Sequence, residues 1–482
     1  MRFTAALLIS LIWALPASGF FWKKDKDKNI DKGNNSKGDD DSEVVEELYS
    51  GLSPVSVSPD GIPLVTLHND QQMPLVGLGV EYLPPYLIPL MAASAMQNDK
   101  RTRLFDTAHV SDNEKMLATG IAQGLERLDA NGASNDEKVE IHIITKVWYT
   151  HLGYQRTTLS VKESYATLKE AFGDSHQRVD LKMHILLQWP RCYESIDWMN
   201  CEMDEQDVAP HFQEAGPPPH ENKHAWKDSW KALEDLYLEQ QLPIASIGVA
   251  NFHYKDFQEM DAMQVRVHPH LVQVSLWSLL YDPLLVDYCG KRGIHLQTVD
   301  AIDGILADPS RVPNAHHHLL KIAEDLVDAS ETLEEDDVGP IQVVLGWLIQ
   351  LGVSVVPGTE RLSELQQNSA ISLGLLPMLT HDQVETVAHA VEAYLSGDDL
   401  EEDIQTYVTF TAKSKDAMLY WQRPDGSGES KIAFIAKGES FDEVTYPKHH
   451  FRIYDARNKD NYVDYRVDAR FGERTSFDAY LE

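Results

Sequence analysis

The stretch that decides the fold runs Phe105-Asp106-Thr107-Ala108-His109-Val110-Ser111-Asp112-Asn113-Glu114. It starts as the end of an apolar strand and becomes, within a few residues, the start of an amphipathic helix. Three more segments carry polar residues at the end of an apolar run. They are Ile144-Thr145-Lys146-Val147-Trp148, Leu187-Gln188-Trp189-Pro190 and Ile247-Gly248-Val249-Ala250-Asn251-Phe252. Such strand ends meet at one edge of a parallel sheet, so the four segments predict one shared site.

Apolar runs and amphipathic stretches alternate outward from these segments. Strands are predicted at 103–108, 139–148, 183–189, 244–252, 271–279, 294–302 and 353–356, after a hairpin over 62–67 and 73–80. Helices are predicted at 114–128, 158–172, 226–240, 283–291 and 341–351. Eight strand–helix units predict an α/β fold, a (β/α)₈ TIM barrel, over residues 59–400.

The pattern changes to strand alternation near the C-terminus. Short β-like runs at 407–410, 417–421, 431–435 and 451–454 are separated by Gly-, Pro- and charge-rich turns. This spacing predicts a small all-β sandwich over residues 404–482.

The four strand-end segments resemble the D-T-A-x-x-Y-x-N-E, T-K-x-W, H-W-P and I-G-V-S-N-F motifs of the aldo-keto reductase family. The resemblance covers residues from about 60 to 400 and implies an NADP-dependent oxidoreductase of small-molecule carbonyl compounds. Asp106 and Lys146 match the family's catalytic carboxylate and lysine. Ser111 stands in place of the catalytic tyrosine, and Gln188 in place of the histidine.

These two replacements predict impaired catalysis. Carbonyl reduction needs a proton for the developing alkoxide, and a tyrosine beside a lysine supplies it because the ammonium lowers the phenol pKa. The Ser111 hydroxyl is far less acidic, and loss of a general acid costs about 10²- to 10⁴-fold in rate. The Gln188 amide can still donate a hydrogen bond to an oxygen, but it carries no transferable proton.

The resemblance also implies a set of cofactor-binding residues. Asn251 and Gln273 match groups that bind the nicotinamide carboxamide, and Thr359, Arg361 and Asn368 belong to a P-G-T form of the adenosine-phosphate loop. Thr359 and Arg361 are expected to hold the 2′-phosphate of NADPH, although Glu360 beside them opposes it. Val299 takes the place of the tyrosine on which the nicotinamide ring stacks.

Two hypotheses for function remain open at this point. The first is a slow oxidoreductase with a rearranged proton donor, Tyr149 or Tyr154, from the loop after Lys146. The second is a noncatalytic protein that binds a small ligand on the reductase scaffold. Under the second, Asp106 and Lys146 are a buried ion pair with a structural role.

The N-terminus predicts entry into the secretory pathway. An apolar run from Ala5 to Leu15 and the small residues Ala17, Ser18 and Gly19 predict a signal peptide over residues 1–19 and no membrane span after its cleavage. A plastid presequence is the alternative, because Phe20 follows the cleavage point. Residues 20–58 are predicted to be a disordered charged linker.

Charge and cysteine content restrict the partners. The formal net charge of -34 makes attraction to phosphate backbones unfavourable, so nucleic acid is excluded as a partner. Cys192 and Cys201 are candidates for a disulfide in an oxidising compartment, and two unpaired loop cysteines are the alternative. The consecutive residues His316, His317 and His318 do not share one helix face, which argues against a metal site.

A second resemblance concerns the C-terminal segment. Leu419-Tyr420-Trp421, Ile435-Ala436-Lys437-Gly438-Glu439-Ser440 and Thr445-Tyr446-Pro447-Lys448-His449-His450-Phe451 are similar to the von Hippel-Lindau β domain. That resemblance implies a peptide or protein partner for the sandwich. A purely structural sandwich is the alternative.

Overall fold

The chain divides into two compact units. The computed structural model describes residues 55–58, 61–130, 138–299, 309–334, 336–400, 406–423, 428–445, 449–467 and 474–481. The first unit holds the described residues before 308 together with 344–379, and the second holds the remainder. The predicted signal peptide lies outside the described residues.

A small sheet precedes the barrel. Its strands are β1 Val55–Val57, β2 Pro63–Thr66 and β3 Gln72–Pro74, paired antiparallel. The linker predicted over residues 20–58 therefore does not extend through Val55–Val57, which already pairs with β2. Val65 and Met73 are fully buried and pack in one apolar cluster with barrel residues such as Leu186.

Eight parallel strands in chain order form the main sheet of the first unit. They are β4 Leu78–Gly79, β5 Leu104–Asp106, β6 Val139–Val147, β7 Val179–Leu187, β8 Ile244–Ala250, β9 Leu271–Ser275, β10 His295–Val299 and β11 Ser354–Val355. Backbone hydrogen bonds from Gly77 N to Val355 O, 2.9 Å, and from Val355 N to Leu75 O, 2.8 Å, join the two ends of this sheet. The sheet closes on itself, which confirms the predicted (β/α)₈ barrel.

Helices connect the strands. In chain order the described helices are α1 Ile88–Ala95, α2 Glu114–Ala130, α3 Tyr154–Phe172, α4 Cys201–Gln206, α5 Pro210–Ala215, α6 Ala225–Glu239, α7 Tyr254–Ala262, α8 Leu276–Tyr281, α9 Pro283–Arg292, α10 Pro313–Asp328, α11 Pro340–Gln350, α12 Leu362–Gln367, α13 Ala370–Gly374 and α14 His381–Ser396. The strand predicted over 271–279 was too long. It ends at Ser275, whose hydroxyl accepts a hydrogen bond from Ser278 N and caps α8. A short apolar run does not distinguish strand from helix, which explains the error.

Close packing between strands explains why residue 248 is a glycine. A Cβ added at Gly248 would lie 2.2 Å from the Leu271 carbonyl oxygen and 2.7 Å from a methyl of Leu186. Any larger residue would push β8 away from its neighbours. The glycine therefore keeps the strand ends, and the side chains that follow them, close together.

The second unit combines helices α10 and α14 with seven strands. These are β12 Thr406–Ala412, β13 Ala417–Gln422, β14 Glu429–Ile435, β15 Ser440–Thr445, β16 His450–Asp455, β17 Asn458–Arg466 and β18 Arg474–Ala479. The strands form a three-stranded and a four-stranded sheet around a core that contains Phe410, Leu419 and Ile453. The predicted all-β region is present, but β15, β17 and β18 were not predicted because charged residues interrupt their apolar pattern.

The boundary predicted at residue 400 also differs from the observed division. Helices α10 and α14 pack together in the second unit, where Asp399 accepts hydrogen bonds from Asn314 N and Ala315 N, both 3.0 Å, at the start of α10. His316 on α10 forms a 2.7 Å hydrogen bond with the Tyr394 hydroxyl. Residues 313–328 and 381–396, which fall within the barrel predicted from sequence, thus belong to the second unit.

A layer of buried histidines lies within the barrel strands. His184 on β7 forms hydrogen bonds with His142, 3.0 Å, and with the Ser246 hydroxyl, 2.7 Å. His295 on β10 forms a 2.9 Å hydrogen bond with the Ser354 hydroxyl, and His270 precedes β9. Burial lowers the pKa of His184 well below its ordinary value, that of His270 to about 4 and that of His295 to about 3.

These histidines predict a loss of barrel stability in mild acid. His184, His270 and His295 stay neutral in the folded barrel, whereas the unfolded chain protonates each of them below its ordinary pKa of about 6.5. Each therefore lowers the free energy of unfolding by about 1.4 kcal/mol per pH unit below that value, until the pH reaches the lowered folded pKa. Urea unfolding followed by circular dichroism at about pH 7, 6 and 5 measures this slope.

The variant His295→Gln is the matched control, because glutamine keeps a side-chain donor for Ser354 but does not titrate. Its unfolding free energy should fall with pH less steeply than that of the unmodified protein, by about 1.4 kcal/mol per pH unit. Equal slopes for the two proteins would contradict the assignment of His295.

Candidate functional site

Adjacent strands bring four side chains together at the carboxyl edge of the barrel. Asp106 ends β5, Lys146 lies near the end of β6, and Gln188 directly follows β7. Glu81, two residues after the end of β4, joins them through direct hydrogen bonds. We call Glu81, Asp106, Lys146 and Gln188 the Lys146 cluster. It lies at the edge where TIM barrels carry their active sites.

All three N–H groups of the Lys146 ammonium donate hydrogen bonds. Its Nζ donates to Asp106 Oδ2, 2.8 Å, to Glu81 Oε2, 2.8 Å, and to the Thr107 carbonyl oxygen, 2.9 Å. The side chain is only 2% exposed. An ammonium has three N–H donors, so no donor of Lys146 remains for a further group.

The carboxylates of the cluster stabilise the charged form of Lys146. Burial alone disfavours the Lys146 ammonium, but the carboxylates of Asp106 and Glu81 overcome this and raise the pKa of Lys146 above its ordinary value. Burial also raises the pKa of Asp106, and Lys146 offsets only part of that rise. Lys146 therefore stays protonated over the physiological pH range.

Glu81 bridges the lysine and the glutamine. Gln188 Nε2 donates to Glu81 Oε1, 2.8 Å, while Lys146 occupies the other carboxylate oxygen. Gln188 Oε1 is buried and has no hydrogen-bond partner among the described residues. Sequence reasoning missed Glu81, although an acidic residue just after the first-strand glycines, at a carboxyl strand end, was a usable signal.

Ser111 is not connected to this cluster. It lies half-buried in a 3₁₀ turn, His109–Ser111, where its backbone N–H donates to the Ala108 carbonyl oxygen, 3.1 Å. Among the described residues, no side-chain hydrogen bond joins Ser111 to Lys146 or Gln188. A serine is much shorter than a tyrosine, and this position supplies no hydroxyl to the lysine.

The remaining residues of the same motif support the site. Asn113 Nδ2 donates to the Val80 carbonyl oxygen, 3.0 Å, and thereby fixes the backbone next to Glu81. Asn113 also accepts a hydrogen bond from the Thr107 hydroxyl. Glu114 accepts from the Thr145 hydroxyl, 2.6 Å, and burial raises its pKa. These contacts are structural and hold the strand ends in position.

The two side-chain amides expected to bind nicotinamide donate hydrogen bonds to other groups of the barrel. Gln273 Nε2 donates to Asp106 Oδ1, 2.9 Å, and to Gln297 Oε1, 2.8 Å. Asn251 adopts a left-handed backbone, φ 58°, and its Nδ2 donates to the Gln188 carbonyl oxygen, 3.0 Å. Gln297 was not identified from sequence. Its amide links Gln273 to β10, and its Nε2 has no partner among the described residues.

The loop expected to bind the adenosine phosphate contains a competing carboxylate. The Thr359 hydroxyl donates to Glu364 Oε2, 2.5 Å, and Arg361 pairs with Glu364 Oε1, 3.0 Å. Arg361 is 77% exposed, and Asn368 is buried. A 2′-phosphate would have to displace Glu364 from the Thr359 hydroxyl and would meet its negative charge beside Arg361. NADP therefore fits this end of the site poorly, whereas Asn251 and Gln273 fit the carboxamide end in part.

Neither proposed alternative proton donor faces the cluster. The Tyr149 hydroxyl donates to Asp204, and burial together with that carboxylate raises the pKa of Tyr149. The Tyr154 hydroxyl donates to Asp235, 2.7 Å, on the surface, and the pKa of Tyr154 is raised as well. Raised pKa values make both phenols poorer acids, so the structure does not support either residue in that role.

A disulfide closes the loop after β7. Cys192 and Cys201 are bonded, with Cα atoms 5.9 Å apart, which confirms the pairing considered from sequence. The loop carries Trp198, whose ring centroid lies 6.0 Å from that of Trp148 and 5.8 Å from that of Trp189. Trp148 and Trp189 follow the strands that hold Lys146 and Gln188. An aromatic wall therefore lies at the same edge of the barrel as the cluster.

Among the described residues, no helix is both long and apolar enough to cross a bilayer. No group of three or more His, Cys, Asp or Glu side chains in this part of the chain is arranged to hold a metal ion.

A sequence profile of the Aldo/keto reductase family matches residues 91–392, more than half of the chain. The chain belongs to the aldo/keto reductase family. It is 25% identical over 304 residues to the 9,11-endoperoxide prostaglandin H2 reductase of Trypanosoma cruzi (strain CL Brener), covering 63% of this chain and 84% of that protein. It is 26% identical over 309 residues to the glyoxal reductase of Bacillus subtilis (strain 168), covering 64% and 86%, respectively.

A crystal structure of an aldo/keto reductase from Brucella melitensis has 21% sequence identity and a TM-score of 0.48, covering 68% of this chain and 98% of that one. Asp106, Lys146 and Gln188 lie within the residues that match the family profile, whereas Glu81 precedes them. The profile match therefore does not extend to Glu81.

The adenosine-phosphate loop generates a prediction about the cofactor. The unmodified protein should bind NADPH and NADH with similar affinity, because Glu364 neutralises Arg361 and holds the Thr359 hydroxyl. The variant Glu364→Gln should favour NADPH by roughly tenfold, since a charge-assisted contact contributes about 1.5 kcal/mol or more. Calorimetric titration of each protein with both nucleotides measures the ratio.

The control is Glu126→Gln, which removes an exposed carboxylate from α2 and should leave the ratio unchanged. A strong NADPH preference in the unmodified protein would show that Glu364 does not block the phosphate.

Proposed function

We propose that this aldo/keto reductase family member is an impaired nicotinamide-nucleotide-dependent reductase of carbonyl compounds. One observation carries the proposal: all three donors of Lys146 are taken by Asp106, Glu81 and a backbone carbonyl oxygen. A carbonyl oxygen that approaches the cluster meets no acidic hydroxyl and no unused ammonium N–H. The remaining donor capacity is one N–H of the Gln188 amide.

The chemistry of carbonyl reduction explains why this arrangement is slow. A nicotinamide nucleotide supplies the hydride when it is bound, and the protein must supply a proton and stabilise the developing alkoxide. Ser111 makes no hydrogen bond to Lys146, and Gln188 has no transferable proton. The Glu81 carboxylate adds a negative charge close to where the alkoxide would form. All three features raise the barrier to the same step.

A noncatalytic ligand-binding role is the second candidate. It is favoured by the buried Gln188 Oε1, which has no partner among the described residues. An unpaired buried acceptor costs about 1–3 kcal/mol, and a ligand N–H or O–H would remove that cost. This role needs neither cofactor nor proton transfer.

The reductase activity should be feeble. With NADPH and a reactive aromatic aldehyde, we expect turnover at least 10²-fold below the median enzyme value of about 10 per second, because the general acid is missing. Absorbance of NADPH under saturating aldehyde measures it. Turnover near that median value would sink the proposal and require a proton donor outside the cluster.

Restoring the missing groups should require removal of Glu81. We expect Ser111→Tyr with Gln188→His to gain little activity, because Glu81 still holds the Lys146 ammonium. Adding Glu81→Ala should raise turnover by roughly tenfold or more over that double variant, since the new phenol can then reach Lys146. The same double variant carrying Glu126→Gln is the control. Equal turnover with and without Glu81→Ala would show that Glu81 is not an obstacle.

We also propose that the protein resides in the secretory pathway. The predicted signal peptide motivates the proposal, and the Cys192–Cys201 disulfide supports it because such bonds persist in oxidising compartments. N-terminal sequencing of the mature protein tests it. A chain that retains residues 1–19 and stays in the cytosol would disprove it.

The second unit is proposed to bind a peptide or protein, as the von Hippel-Lindau resemblance of its C-terminal segment implies. The four-stranded sheet presents Phe434, 55% exposed, and Tyr462, 46% exposed, which supports this role. Cross-linking in cells, compared between the unmodified protein and Phe434→Ser, tests it. An unchanged pattern of cross-linked partners would count against this surface.

A further inference from the structure

The Lys146 cluster offers free hydrogen-bond acceptors, whereas a carbonyl ligand needs free donors. A carbonyl oxygen only accepts hydrogen bonds, so its site must present donors. Here the Lys146 donors are all used, and Gln188 Nε2 donates to Glu81. The unused capacity of the cluster consists mainly of acceptors, on Glu81 and on Gln188 Oε1.

From this difference we propose that the Lys146 cluster binds an organic ammonium ion in place of a carbonyl oxygen. The proposal rests on the proposed loss of carbonyl reduction and names the ligand class of the same site. A primary ammonium group carries three donors and a positive charge, and both properties match the groups left available in the cluster.

Glu81 is the accessible acceptor. Its side chain is 10% exposed, compared with 4% for Asp106 and 2% for Lys146. A carboxylate offers about four lone-pair positions, and the contacts to Lys146 and Gln188 use one on each oxygen. Two positions remain for a ligand that approaches from the solvent side.

Gln188 Oε1 provides an independent observation. The residue is 5% exposed and this oxygen has no partner among the described residues, although the same amide donates from Nε2. The amide orientation is set by Glu81, which can accept but cannot donate. The unpaired oxygen must therefore face away from Glu81 Oε1 as an acceptor, and a ligand N–H or O–H satisfies it.

Charge favours an ammonium over a neutral hydroxyl. Asp106 and Glu81 share a single ammonium, so the cluster has one more ionisable acid than base. When both carboxyl groups are ionised, the cluster carries one excess negative charge, and a bound cation neutralises it. A neutral alcohol would satisfy the hydrogen bonds but would leave the charge uncompensated.

The aromatic wall fits the same ligand class. Trp198 contacts both Trp148 and Trp189, and the Cys192–Cys201 disulfide closes the loop that holds it there. Cations are attracted to the faces of tryptophan rings, most strongly where water is excluded. An organic cation with an apolar body can thus use the wall and the carboxylate together.

The test is calorimetric titration of the full-length protein, near neutral pH, with benzylammonium chloride, benzyl alcohol and benzaldehyde. These probes share one ring and differ in the polar group. We expect saturable binding of benzylammonium and at least tenfold weaker binding of both benzyl alcohol and benzaldehyde. Glu81→Gln, which keeps the shape but removes the charge, should weaken benzylammonium binding by at least tenfold.

Two variants keep the result interpretable. Glu126→Gln removes an exposed carboxylate of α2 and should bind benzylammonium as the unmodified protein does. Trp198→Ala keeps the cluster intact and should weaken binding about threefold or more, because it removes one ring of the wall. Circular dichroism of each variant confirms that the barrel is folded. If Glu81→Gln is unfolded, Trp198→Ala and the ranking of the three probes still decide the outcome.

Several results would overturn the inference. Absence of benzylammonium binding, equal affinity for benzylammonium and benzaldehyde, or unchanged binding in a folded Glu81→Gln variant would each do so. The aldehyde turnover assay separates this failure from failure of the proposed function. Slow turnover without ammonium binding removes only the ligand assignment, whereas fast turnover with tight benzaldehyde binding removes both.

Discussion

The buried ammonium of Lys146 is the constraint on which the rest of the site depends. An unpaired charge at this depth would cost several kcal/mol, so the fold must surround it with negative groups. The carboxylates of Asp106 on β5 and Glu81 after β4 supply these groups, and the Thr107 carbonyl oxygen accepts the third hydrogen bond from the ammonium. The geometry of three successive strand ends is thereby tied to one nitrogen atom.

This arrangement lets the barrel keep a buried charged core without a tyrosine at position 111. Asp106 and Lys146 stabilise each other whether or not a carbonyl is reduced, since removal of either would strand the other. Ser111 and Gln188 have no such mutual dependence. The placement of Glu81, held by the Asn113 contact to the Val80 carbonyl oxygen, then gives the lysine a new partner on its solvent side.

In the adenosine-phosphate loop, as in the Lys146 cluster, potential ligand-binding groups are paired within the protein. Thr359 and Arg361 remain at the positions that the family motif implies, yet Glu364 satisfies both from one turn further along the chain. At both ends of the expected nucleotide site, groups that would bind a ligand are paired within the protein. Internal pairing of this kind lowers the gain from binding, because each contact must first be broken.

The sequence by itself determined the barrel, its strand ends and the positions of Asp106, Lys146 and Gln188, because apolar periodicity and motif spacing are local properties. It also indicated the all-β C-terminal region. A pattern based on apolar runs did not detect charged strands such as β17, and it did not distinguish the helix after Ser275 from a strand. Only the tertiary structure decided that Glu81 joins Lys146 and that α10 and α14 belong to the second unit. Those contacts depend on which side chains the folded chain brings within hydrogen-bonding distance. No spacing along the sequence encodes the 2.8 Å between a carboxylate after β4 and an amide after β7.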